Sequence, residues 1–194
     1  MPGIRYIPRN NGFTLVEIII AIVLLGILAA VGSSMISDTF RTTGMVDANQ
    51  AARAQIRYAV ERLAREIREV KYVSQGTAMD GVTTNYTGYC IGTITASSLA
   101  FNKPTTDNVD KTNCTTNVTA VSINGGSSVT LGSSTLAGNV IGNPNGDAFL
   151  RYYQDDGSTQ TASPSLVRFI VITLTVQNGG QSITERTRVA LRDS

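Results

Sequence analysis

The chain has no histidine and no tryptophan among its 194 residues, and only two cysteines. The missing histidine excludes histidine-based acid–base catalysis and histidine metal ligation. Cys90 and Cys114 stand too far apart for a redox Cys-x-x-Cys, and two thiols alone make a poor zinc site. Charge is scarce, at 15% of residues. The formal excess of +2 resides in Arg5 and Arg9, and the remainder is balanced. A balanced chain exerts no global attraction on nucleic acid. No nucleophile–base pair and no phosphate-cradling glycine loop stands out, so no catalytic residue, metal or cofactor is expected.

The most informative stretch is Arg9-Asn10-Asn11-Gly12-Phe13-Thr14-Leu15-Val16-Glu17, followed by an apolar run over 18–31. Glu17 is the sole charge over 13–31. That run is about the length needed to cross a bilayer core as a helix. An ionisable side chain at such depth is expensive when unpaired, which marks Glu17 as a functional residue. Arg5 and Arg9 precede the span and place its N-terminal side in the cytoplasm. Ala29-Ala30-Val31-Gly32 would suit an ordinary signal peptidase. A secretory signal or a plain anchor, however, leaves Glu17 unexplained.

The basic leader, Gly12-Phe13, Thr14, Leu15 and Glu17 together resemble the type IV prepilin leader, shared by pilins, minor pilins and type II secretion pseudopilins. The resemblance covers about thirty residues at the N-terminus. It implies cleavage between Gly12 and Phe13 by prepilin peptidase and N-methylation of Phe13. It also implies assembly: Glu17 would meet the Phe13 amine of an adjacent subunit, two charges that offset one another in apolar surroundings. A pair within one subunit is the alternative. Implied partners are prepilin peptidase, other pilin or pseudopilin subunits, the inner-membrane assembly platform and the lipid bilayer, but no nucleic acid. The implied location is the bacterial inner membrane, with a periplasmic head, before assembly into a pilus or pseudopilus. In that oxidising compartment Cys90 and Cys114 are expected to form a disulfide.

The expected organisation is leader 1–12, membrane or filament-core helix 13–35, amphipathic helix 36–73 and a β-rich head over 74–194. The fold class is α+β and pilin-like: a long N-terminal helix on an antiparallel sheet. Such a helix would be about 90 Å long. Gly26, Ala30 and Ser34 make a small-residue strip open to close helix approach or simply common in spans. Gly32-Ser33-Ser34 would soften the helix. Ile56, Val60, Leu63, Ile67 and Val70 form the buried stripe of the second half. Arg53, Arg57, Glu61, Arg62, Arg65, Glu66 and Glu69 read as its solvated side, with a Glu61–Arg65 pair.

Residues 74–88 read as a loop. Strands are expected over 89–95, 98–102, 118–123, 128–131, 149–154, 166–177 and 181–192, with a loop over 104–116. Asn124-Gly125-Gly126, Asn143-Pro144-Asn145-Gly146 and Asn178-Gly179-Gly180 read as turns. Asp155-Asp156-Gly157 lacks the ligand spacing of an EF-hand and reads as a solvated turn rather than a calcium site. The Asn-x-Thr triplets at Asn85, Asn113 and Asn117 read as chance in a Thr/Asn-rich chain.

Many major pilins carry proline at the position matching Ser34, and in many adhesive ones the disulfide brackets the C-terminal region. Both departures, with resemblances over 63–68 and 188–192, point to a minor pilin or pilus-biogenesis component. A secretion pseudopilin is the alternative, and a membrane-tethered enzyme or binding domain is the alternative of another class.

Overall fold

The computed structural model describes residues 13–105, 112–143 and 145–192. Its architecture is α+β, with one long helix, α1 (Leu15–Arg68), and a C-terminal region rich in antiparallel sheet. The chain divides into two units, Met1–Val46 and Asp47–Ser194.

In the first unit α1 runs unbroken through Gly32-Ser33-Ser34. Threonine hydroxyls further along are satisfied within the helix: Thr39, Thr42 and Thr43 donate to the carbonyls four residues back, at 2.8 to 2.9 Å. The hydroxyls therefore need no outside partner.

The second unit begins with the remaining turns of α1. Ile56, Ala59, Val60, Leu63 and Ile67 are buried, at the 3–4-residue spacing of one helix face. They join a core with β3 (Ile91–Ile94), β4 (Ser98–Pro104), β8 (Leu150–Tyr153) and β9 (Phe169–Asn178). β9 is the centre of a three-stranded sheet in the order β10-β9-β8, with β10 spanning Gln181–Ala190. Residues 170–176 of β9 are all buried, as expected for an apolar strand covered on both faces. β10 alternates, with Val189 inside and Arg186 and Arg188 outside. Gly179 and Gly180, at φ of 56° and 83°, turn the hairpin between them in a left-handed conformation that glycine adopts freely.

The second sheet runs β3-β4-β5-β6-β7, with β5 at Val118–Gly125, β6 at Val129–Leu131 and β7 at Ser134–Ala137. β1 (Tyr72–Gly76) and β2 (Tyr86–Tyr89) form a separate ribbon.

Several expected boundaries move. α1 stops at Arg68, five residues before the expected Val73. The Glu69 and Val70 N–H groups tighten onto carbonyls three residues back, and the Lys71 N–H turns to the Asn102 carbonyl at 2.9 Å. Tyr72 and Val73 are β-formers, and pairing with β2 takes them. The expected loop over 74–88 contains most of β1 and the start of β2, joined by Tyr72↔Tyr89 and Val73↔Gly88 pairing. A strand over 89–95 is instead divided at Cys90, which separates β2 from β3. β7 lies outside the expected strands, in a Ser/Thr/Gly-rich stretch with little β-propensity. The start of 166–177 is irregular, with a 3₁₀ turn at Pro164–Leu166 before β9 begins at Phe169. The leader 1–12, residues 106–111 of the expected loop and Pro144 of the expected turn lie outside the described residues.

Candidate functional site

α1 begins one residue after Thr14, which caps it. The Thr14 carbonyl accepts the N–H groups of Glu17 and Ile18 at 3.1 and 3.3 Å, and its Oγ1 accepts the Glu17 N–H at 3.3 Å. Thr14-Leu15-Val16-Glu17 also has the capping-box spacing, a local signal for this helix start. A carboxylate in the first turn complements the helix dipole. Phe13, just outside the helix, is 78% exposed.

Glu17 is itself exposed and makes no ion pair among the described residues. Around it Leu15, Val16, Ile18 and Ile19 are half exposed or more. The helix is long and apolar enough to cross a membrane, and its most apolar window is wholly uncovered. Burying each such side chain is worth roughly 1.5–3 kcal/mol. The segment therefore demands lipid or other protein around it, and in either setting an unpaired Glu17 carboxylate is strongly disfavoured. A Cβ on Gly26 would meet nothing within 4 Å, so that side is open to close approach. The side chain of Ser34, the third member of the small strip, is outside the description, as is Gly12 of the expected cleavage pair.

The family described as the prokaryotic N-terminal methylation motif matches residues 7–33. The chain is type IV pilin-like. The match spans the leader junction and the apolar turns of α1, which carry Phe13 and Glu17. No curated protein and no solved structure shows significant similarity to this pilin-like chain.

Outside that segment, several polar and sulfur-bearing groups are engaged in contacts that hold the fold. Cys90 and Cys114 are joined, fully buried, with Cα atoms 5.3 Å apart. Closing a loop of this separation stabilises the fold by about 3 kcal/mol in the chain-entropy account. Around the disulfide, Asn102 donates through Nδ2 to the Cys114 carbonyl at 2.8 Å. Lys71 is 2% exposed, and its Nζ donates to the carbonyls of Asn113 and Thr116 at 2.6 and 3.1 Å. The buried ammonium thus holds the loop of the second cysteine in place. Gly76 completes the fit, because a Cβ there would overlap the Thr112 carbonyl. Nothing in the local sequence marks Lys71 as buried.

Glu66 corrects a second reading. Placed on the wet side of α1 by pattern, it is 4% exposed. Its carboxylate meets Arg62 and Lys103, each at 2.7 Å. Among the described residues the helical pair is therefore Arg62–Glu66 rather than Glu61–Arg65. Glu66 follows Leu63 by three residues, so it borders the buried stripe and reaches β4 beneath it.

At Asp155-Asp156-Gly157 the Asp156 carboxylate is already engaged. Oδ1 accepts the Ser158 and Thr159 N–H groups at 3.0 and 2.9 Å, and Oδ2 accepts the Thr159 hydroxyl. These bonds, led by the Thr159 hydroxyl, lower its pKa to about 2. Asp80 is held by Thr83 and Val82 in the same way and is also lowered. Both are Asx turns in Asp-Gly-x-Thr sequences, with Gly81 and Gly157 at φ near +70°.

Proposed function

We propose that the chain is a minor subunit of a type IV pilus, made as a prepilin and joining or priming the filament. Prepilin peptidase cuts between Gly12 and Phe13, and Phe13 is methylated. The subunit then stands in the inner membrane with its leader side cytoplasmic and its head periplasmic, in reach of the assembly platform. On extraction from the membrane, the apolar turns of α1 pass from lipid to neighbouring subunits. Glu17 pairs with the Phe13 amine of a neighbour and sets the stagger. The motif supports a structural subunit rather than an enzyme.

The observation that carries this reading is the methylation motif on an uncovered apolar helix whose one carboxylate, Glu17, has no ion-pair partner of its own. The capped start of the helix at Thr14 supports it further, since a chain beginning at Phe13 keeps the cap intact. The test is mass spectrometry of the exported protein together with the phenotype of a deletion strain. Methylated Phe13 at the N-terminus and loss of surface pili are the expected results. Loss of protein secretion with pili intact would assign the subunit to a type II secretion pseudopilus. An N-terminus beyond Ala30 would overturn prepilin processing altogether.

A further inference from the structure

The sheet β10-β9-β8 treats its two edges differently. The edge of β8 is covered: the Thr161 N–H donates to the Tyr152 carbonyl at 3.0 Å, Gln160 bridges to Tyr153, and the Leu150 N–H donates to Ala96 at 2.9 Å. The edge of β10 is open. On β9, Thr173 and Thr175 use their backbone groups toward the β8 side, bonding Phe149 and Ile141. Antiparallel alternation then assigns Ile170, Ile172, Leu174 and Val176 to bonding with β10, where their partners are Val189, Thr187, Glu185 and Ile183. The backbone groups of Ser182, Thr184, Arg186, Arg188 and Ala190 therefore point away from the sheet. All five residues are exposed, and none of these N–H or C=O groups has a partner among the described residues. A ten-residue strand with a free edge is a template for another strand.

The surroundings of that edge are basic. Beside it, α1 and β10 border a hollow of about 490 Å³ lined by Arg53, Arg57, Ser182, Thr184 and one acid, Glu185. Arg53, Arg57 and Arg186 make no ion pair among the described residues. A second copy of β10 is a poor occupant. The antiparallel register that pairs all five outward residues sets Arg186 opposite Arg186, the neighbouring one sets Glu185 opposite Glu185, and like charges directly opposite are destabilising.

We propose that the open edge of β10 receives an extended, acidic segment of a partner protein as an added antiparallel strand. The main-chain groups of Ser182, Thr184, Arg186 and Arg188 supply the ladder. Carboxylates at every second position of the incoming strand share one face, and on the α1 side they meet Arg53 and Arg57. The partner is defined by this chemistry, alternating carboxylates on an extended backbone. The inference does not depend on whether the filament is a pilus or a secretion pseudopilus.

The experiment uses the full chain in detergent micelles and three synthetic ten-residue peptides that alternate Thr or Val with Glu, Gln or Lys. Saturable binding of the Glu peptide is expected, at least tenfold tighter than the Gln peptide and weakening as salt rises. Hydrogen exchange on the unmodified protein should show slowed amides at Thr184 and Arg186 only when the Glu peptide is present. Ser182→Pro removes one outward donor at an exposed position where an edge strand tolerates proline, and should weaken binding about tenfold or more with the melting temperature held. Arg53→Gln combined with Arg57→Gln should weaken it severalfold. Absence of saturable binding at millimolar peptide would overturn the proposal. Equal binding of the Lys peptide, or binding that leaves the β10 amides unprotected, would do the same. So would β10 protection that grows with protein concentration alone, since that would make the edge a self-association surface.

Discussion

Lys103 Nζ lies 2.7 Å from Glu66 Oε2, so β4 and the five-stranded sheet are tied to α1 by a charge pair beside the core. The same Nζ reaches Glu69 at 3.3 Å, and Arg62 holds the other oxygen of Glu66. Glu66→Ala would leave Lys103 half sheltered beside apolar side chains with one weaker acid in reach. A loss of about 2 kcal/mol is expected, the usual scale for hydrogen bonds to charged groups. Glu66→Gln should recover part of it. Chemical denaturation of the full chain in micelles measures both, and equal midpoints for Glu66→Ala and the parent chain would refute the assignment. Lys103 has a pKa raised chiefly by its hydrogen bond to Glu66, so its contribution is complete below the ordinary lysine value and fades only as pH rises through the raised one.

Reducing the Cys90–Cys114 bond should cost about 3 kcal/mol on the chain-entropy estimate. The variant Cys90→Ser with Cys114→Ser should also expose the amides of 112–116 to faster hydrogen exchange, because the Lys71 and Asn102 bonds there lose their anchor. Peptide mapping without reductant should recover the two cysteines joined. Finding both freely alkylated in native protein would refute the pairing.

Asp156 makes a pH-dependent contribution with a defined sign. Its folded pKa is lowered to about 2, so the turn gains stability above the ordinary carboxylate value and loses it as pH falls from about 4 through 2. Carbon-detected NMR titration of the Asp156 carboxyl should give a midpoint well under that of a free aspartate. Asp156→Asn should flatten this part of the stability–pH curve. A midpoint near 4 would show that the Thr159 and Ser158 bonds do not persist in solution.

Glu17→Ala should still be inserted and cleaved, since Gly12, Phe13 and the apolar run remain. It should fail to enter filaments efficiently, because a neighbour's Phe13 amine is left unpaired in apolar surroundings. Breaking a buried pair costs about 3–5 kcal/mol, and each 1.4 kcal/mol is about tenfold in association. Glu17→Gln should be milder, through its remaining hydrogen bond. The ratio of sheared-filament to membrane-pool protein, with cleavage checked on the same samples, measures the effect. Equal partition of the parent and Glu17→Ala would remove Glu17 from assembly.

Local signals carried the N-terminal segment. The methylation motif over 7–33 can be read in order along the chain because it depends on spacing from the apolar run, not on any remote contact. The same holds for the stripe Ile56, Val60, Leu63 and Ile67, for the glycine turn at 179–180 and for the apolar β9. Each is a periodicity or backbone preference expressed within a dozen residues. Tertiary structure decided the rest. Residues 69–73 could extend the helix, but the Lys71 N–H turns to the Asn102 carbonyl and the pairing of Tyr72 with Tyr89 makes a strand of Tyr72 and Val73. Glu66 and Lys71 look like surface charges until Lys103 and the carbonyls of 113 and 116, more than thirty residues away, compensate their burial. Their placement depends on desolvation energies that only remote partners offset, and no local pattern encodes those partners.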